Sequence, residues 1–257
     1  MKSIEHAEVL NGAFAAGTMR EELPEGRMRV ERLPFTVRVV HGKEALYKAV
    51  AIRQAAYARH VPVFSETLGT PEPNDYDQGS MILLAESKLD GSPVGTIRVQ
   101  SNRYRELGVE QSVELPARLQ HKSMVEATRL GVAEGGVGRV TKLILIKALY
   151  LYCLEASIDW VIATARPPLD RQYDRLLLED LFSGEFIPMR HVNDIPHRVL
   201  ALDIPGARTR WDEAGHPLLD FMCNTHHPDI DLSNADFSSW SRPVHRAELA
   251  ASAVVCA

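Results

Sequence analysis

Glu126 and Arg129 stand three apart in "SMVEATRLGV" (residues 123–132), an otherwise apolar, β-prone run. A carboxylate in such a place is a candidate proton acceptor and a guanidinium a candidate anion holder, since either ion is costly to bury unless paired. In a regular strand side chains alternate, so an odd spacing sends the two charges to opposite faces. Either one is exposed or the strand is bulged. Arg53 and Tyr57, four apart on a helical stretch, share a face; Arg98 lies in another apolar strand; Asp75 and Asp77 lie in a long loop. Three arginines with several acids make a pre-organised polar pocket or a structural ion-pair network, and residue types alone do not separate these readings.

Gly136 and Gly138 in "GVAEGGVGRV" fall between a strand and a helix, where backbone amides can surround a phosphate or simply form a turn. Cys223, His226, His227 and Asp229 in "CNTHHPD" have no second ligand group at zinc spacing, so no metal is expected, and a helix end before Pro228 is the simpler reading. In "ARPPLDRQYDR", Arg166 is placed to meet a ligand where strand passes to helix, while Asp170, Arg171, Asp174 and Arg175 read as a solvated face. Neither a GxSxG elbow nor a Walker loop occurs.

The elements that must position these residues read as follows. A strand "FTVRVVH" leads into a helix "KEALYKAVAIRQAAYARHV" and then a long loop "PVFSETLGTPEPNDYDQGS". Strands "MILLAES" and "PVGTIRVQS" flank "KLDG", whose Asp-Gly pair signals a hairpin. After residues 123–132 come a helix "VTKLILIKALYLYCLEAS", a strand "DWVIATA", a helix "PLDRQYDRLLLEDLF" and a strand "PHRVLALDI". Helices interleaved with an antiparallel hairpin predict a mixed α/β (α+β) sheet domain. The expected division is an N-terminal arm over 1–33, one domain over 34–205, and an extension over 206–257 that packs on the core through a short helix before a loose tail.

With 257 residues, 45% hydrophobic and 25% charged, the chain suffices for one large core. A net charge of -5 and a pI near 6.1 give no sign of nucleic acid or an anionic membrane as partner. Cys153, Cys223 and Cys256 are odd in number without a CxxC spacing, which fits a reducing compartment, most simply the cytoplasm. The N-terminus lacks the apolar core of a secretory signal, and no run approaches an integral membrane span.

In this order, "IRQAAY", "NDYD", "VGTIRV" and "VEATRLGV" resemble motifs of the carrier-protein-dependent branch of the GNAT acyltransferase superfamily, and "THHPDI" resembles C-terminal segments of its N-acyl amino acid synthases. Acyl-homoserine-lactone synthases are more distantly similar. The resemblance spans about residues 34–205 and implies a mixed central sheet with splayed strands. Into that opening would come the acyl-phosphopantetheine thioester of an acyl carrier protein, with no permanently bound cofactor, to meet an amino acid. Carried over residue by residue, it implies Arg53, Asp77, Arg98, Glu126 and Arg129 as the polar active-site set, with Glu126 as general base.

Under the same resemblance Tyr57 would touch substrate, and backbone amides from Leu130 to Val132 would form an oxyanion site. Gly136, Gly138 and Arg139 would receive the phosphopantetheine, and Arg139 with Lys142 offers a basic patch for an acidic carrier protein, unless it is only a solvated helix face. Lactone synthases carry two loop acids three apart. Counted at Asn74 and Asp77, this loop lacks that pair, which sets it apart from S-adenosylmethionine users. Ala133 and Glu134 open the glycine loop where CoA-dependent relatives carry a basic residue, which points to the carrier protein as donor. The alternatives are a lactone synthase and a non-catalytic module that binds an acyl chain or carrier protein.

Overall fold

The computed structural model describes residues 28–235 and 237. Most of the expected arm and tail, with Cys256, therefore lies outside the described residues. The main sheet runs in the order β11 (Ile230–Asp231), β2 (Phe35–Val39), β3 (Ser80–Ser87), β4 (Pro93–Ser101), β5 (Met124–Val132), β6 (Trp160–Ala165), β9 (Ile195–Asp203), β7 (Glu179–Asp180). A further strand, β8 (Ile187–Met189), pairs with the start of β9, and β1 (Arg29–Val30) pairs separately with β10 (Thr225–His226). Pairing is antiparallel from β2 to β5 and parallel between β5 and β6, so the sheet is mixed as expected. The hairpin turn falls at the Asp90-Gly91 pair, with Gly91 at φ +71.

Two helices cover the sheet, one on each face, which explains why β3 and β4 are buried over most of their length. On one side α1 (Gly42–Ala58) buries Leu46, Ala49, Val50, Ile52, Arg53 and Ala56, a stripe at helical spacing packed on Ile82 and Leu84. Arg53 is the anomaly in that stripe. It follows that its guanidinium needs partners inside the protein. On the other side α3 (Gly135–Glu155) packs Ile144, Leu145 and Ala148 against Leu83, Ile97, Val99 and Val125.

Two departures from sheet regularity shape the centre. Opposite Ile97 of β4, β5 carries two residues: Arg98 pairs with Thr128 and Thr96 with Gly131, leaving Arg129 and Leu130 between. Arg129 has φ +55, so this is a β-bulge at a left-handed residue. In addition, β6 follows β5 only from Met124–Trp160 to Ala127–Ala163. Beyond Ala127 the two strands part, and Thr128–Val132 have no strand neighbour on that side.

Elsewhere the long loop contains α2 (Pro62–Ser65) and a 3-10 turn at Pro73–Asp75. The helix predicted from Pro168 is α4 (Leu169–Arg175) and stops there. Arg171, Asp174 and Arg175 lie on an exposed face as expected, with Asp174 bonded by Arg198 of β9 at 2.8 and 2.9 Å, whereas Asp170 departs from the expectation and is buried. Tyr173 and Leu176 are drawn into an apolar cluster with Leu200, and the chain turns into β7.

After α5 (Ile204–Glu213) the segment around Asp220–Asn224 packs on α3. Buried Lys147 donates to the carbonyls of Phe221 and Thr225 and lies 3.0 Å from His227 Nδ1. Burial lowers the Lys147 pKa to about 8. The possible metal donors of "CNTHHPD" disperse: Asp229 accepts from Leu33 N–H and pairs with Arg32 and Lys88, while His227 faces Lys147 and Glu31.

Candidate active site

The bulge resolves the odd spacing of Glu126 and Arg129. Glu126 pairs across the ladder with Gln100 and Thr128 with Arg98, which puts Glu126 and Thr128 on the α1 face. Regular alternation would turn Arg129 to the opposite, apolar face beside Ala127. The extra residue instead turns it to the α1 side, where its guanidinium lies 5.1 Å from the Phe64 ring centroid and grips Glu72.

Three arginines meet two acids there. Arg53 bonds Asp75 through both terminal nitrogens at 2.9 and 3.0 Å and reaches Glu72 at 3.1 Å. Arg98 Nη1 bonds Glu72 at 3.0 Å and Asp75 at 2.9 Å, while its Nε donates to Thr128 Oγ1 at 3.2 Å. Arg129 clasps Glu72 with Nε at 2.8 Å and Nη2 at 2.7 Å. The loop is held in register by the turn itself, where the Glu72 amide donates to Asp75 Oδ2 at 2.8 Å.

Burial pushes Glu72 and Asp75 up, yet the guanidiniums reverse this and hold both below the ordinary carboxylate range. Burial, with Arg129 beside it, lowers Arg98; Arg129 ends raised, because Glu72 outweighs the cost of its burial. Bidentate contacts of Arg53 with Asp75 and of Arg129 with Glu72 fix the geometry of this knot.

Glu126 is different. It is 0% exposed, its Oε2 accepts the Val109 amide at 3.2 Å, and its Oε1 has no hydrogen-bond partner among the described residues. His191 Nε2 lies 3.4 Å from Oε1, and Thr164 Oγ1 lies 3.5 Å from the same nitrogen. Burial raises Glu126 to about 7, against the pull of the Val109 and Gly108 amides, Arg98 and Arg129. Burial, helped by Arg129, lowers His191 to about 4, so the imidazole is neutral near pH 7. A carboxyl poised near neutrality at the point where β5 and β6 part can accept a proton from a nucleophile bound in the opening.

Arg53, Arg98, Arg129 and Glu126 thus come together. Asp77 does not: it pairs with Arg105, and the loop acids on the arginines are Glu72 and Asp75. These two are themselves three apart, so the count from Asn74 to Asp77 missed the pair; reading the loop from "TPEPND" would have found it. Tyr57 packs against Phe64 with the rings tilted by 57°, their centroids 5.8 Å apart. Leu130 and Val132 lie on the stretch of β5 that pairs with β4 but has left β6, and Arg59 of the α1 end donates to the Val132 carbonyl at 2.6 Å.

Gly136, Gly138 and Arg139 form the first turn of α3 directly after β5. A side chain at Gly138 would sit 1.7 Å from the Ala133 carbonyl oxygen, so packing alone requires glycine there. His191, in a 3-10 turn (Arg190–Val192), had no sequence signal because it joins the site from 62 residues beyond Arg129. Under the opening, on the α3 side, is an apolar cavity of about 30 Å³ whose lining includes Ile97, Ala127, Ala163, Tyr173 and Trp211.

No protein-family model matches the sequence, and no curated protein does. Solved structures do. FeeM, an N-acyl amino acid synthase from uncultured soil microbes, is 17% identical with a TM-score of 0.54, covering 73% of this chain and 97% of that one. A CoA-dependent acyl-homoserine lactone synthase, BjaI, solved with MTA, is 15% identical with a TM-score of 0.51, covering 75% and 93%. The overall architecture, a mixed sheet flanked by helices, is therefore that of the GNAT-like acyltransferase fold, which these synthases share.

Proposed function

We propose that this chain is an N-acyltransferase that moves an acyl group from an acyl carrier protein thioester to the α-amine of an amino acid. The observation that carries this reading is Glu126, buried at the opening with one oxygen that has no hydrogen-bond partner among the described residues, and raised by that burial to about 7. The neutral amine adds to the thioester carbon while Glu126 takes the proton that the nitrogen sheds; the C–S bond then breaks and the leaving thiolate takes that proton from Glu126, restoring the carboxylate. Amides of Leu130 to Val132, free of a strand neighbour on the β6 side, suit the developing oxyanion.

In this reading the phosphopantetheine arm runs along the opening to the amides of Gly136 and Gly138 with Arg139 nearby, and carrier protein docks by Arg139 and Lys142. The apolar cavity beneath takes the start of the acyl chain. At about 30 Å³ it holds only a methylene or two without rearrangement, so a long chain requires Tyr173 or Trp211 to move. Arg53, Arg98 and Arg129 act through Glu72 and Asp75, fixing the wall on which Glu126 stands.

One observation favours a second reading. Glu72 and Asp75 restore the three-residue acid spacing associated with lactone synthases, so the loop no longer sets this chain apart from S-adenosylmethionine users. Mass spectrometry of lipid extracts from cells expressing the chain, beside a Glu126→Gln control, separates them. A series of N-acyl amino acids dependent on Glu126 is expected. Acyl lactones would install the second reading, and binding of donor without any product would install a non-catalytic module. Offering one acyl group as carrier-protein and as CoA thioester then identifies the donor by relative kcat/KM.

A further inference from the structure

The molecule spends several uncommon backbone features on bringing one imidazole to one carboxyl. Asn193 and Asp194, at φ +56 and +57, are consecutive left-handed residues that end the turn carrying His191. The start of the turn is fixed by Arg190 N–H donating to Ser112 Oγ at 2.9 Å, and Arg129 Nη2 donates to the His191 carbonyl at 3.3 Å. Gly108 closes the far side. A Cβ there would stand 3.0 Å from His191 Cγ and 3.1 Å from Glu126 Oε2, so a larger residue would push on both groups.

We propose that His191 is a positioning residue for Glu126, its Nε2–H reaching the otherwise unpartnered Oε1 and thereby fixing the carboxylate's orientation and favouring its ionised, proton-accepting form. The distance of 3.4 Å is within range of a contact that tightens once substrate is bound. Thr164 Oγ1, first on β6 beyond the paired segment and 3.5 Å away, is the alternative partner that holds the ring when Glu126 is protonated. Groups facing the pair are Arg98 from β4, Arg129 from β5 and His197 from β9. Both arginines favour the ionised carboxylate and, with His197, oppose a charged imidazole, so the donor is a neutral ring.

The role in turnover rests on the acyltransfer reading; the effect on Glu126 does not. The test therefore begins without substrate, following the Glu126 carboxyl by carbon-13 NMR across pH 5 to 9 in protein labelled at glutamate side chains and assigned with Glu126→Gln. His191→Ala is expected to move the titration upward by about one pH unit, and His191→Gln, which keeps an N–H at similar reach, to return most of it. Gly108→Ala, which drives the two groups apart, is expected to shift it the same way with His191 intact. An unmoved titration in folded His191→Ala or Gly108→Ala protein overturns the proposal. With the donor and acceptor found above, the acid limb of kcat should follow the NMR shift across the variants. A limb that stays put while the carboxyl titration moves overturns the positioning role.

Discussion

The arginine knot and the Glu126 pocket share a sheet face and a strand, yet they handle buried charge in opposite ways. In the knot each of Glu72 and Asp75 is bonded by two or three guanidiniums, and both stay ionised through any physiological pH. In the pocket the carboxyl has one amide at hydrogen-bond distance on one oxygen and an incomplete contact on the other, and it titrates near neutrality. Under the proposed function, the contrast separates dense ion pairing that braces the fold from a buried acid left short of partners that is available for proton transfer.

Four measurements break or sharpen that contrast. Largest is the kinetic effect of Glu126→Gln: product formation is expected to fall by roughly 10²- to 10⁴-fold with donor affinity kept. Comparable turnover in the variant would remove Glu126 from the chemistry. Next comes the knot, where Arg98→Met strips a partner from both Glu72 and Asp75. Breaking a buried pair on one side costs about 3–5 kcal/mol, to be read as a lower urea midpoint. Loss of activity with stability intact would mean that the arginines serve substrate directly.

Third is the pH dependence of stability. The Glu126 pKa is above its unfolded value, so its protonated form contributes stability that is complete below about 4.5 and lost as pH rises through about 7. Moving from 4.5 to about 7 amounts to roughly 3 kcal/mol. Glu126→Gln should therefore gain on the parent protein by up to that amount between pH 5 and pH 8.5 in thermal melts, and parallel curves would contradict the buried, titrating acid. Smallest is Asp77→Asn, expected within about 0.5 kcal/mol and without kinetic effect, since its partner Arg105 is half exposed.

Much of the fold was legible because its signals are local. The strands β3 and β4 were marked by the Asp90-Gly91 hairpin turn between them, and the conflict between Glu126 and Arg129 left two outcomes open, of which the bulge is the one found. Arg53 was findable as an ion inside an apolar helical stripe. What escaped depended on distance in the chain: Glu72 takes its meaning from Arg129, 57 residues on, and His191 from Glu126. Asp170 of α4 escaped for the same reason, because Arg198 approaches it from another strand.

The extra residue in β5 also changes which kind of genetic lesion the site can survive. Because Gly131 already faces Thr96, excising Leu130 alone would leave every other rung of the β4–β5 ladder where it is. Arg129 would then oppose Ile97 and swing to the apolar side, delivering an unmatched cation to the core beneath α3 and leaving Glu72 with only Arg53 and Arg98 of its three guanidiniums. A codon-sized deletion here, silent to the hydrophobic pattern on either flank, would be more harmful than most single replacements of the same residue.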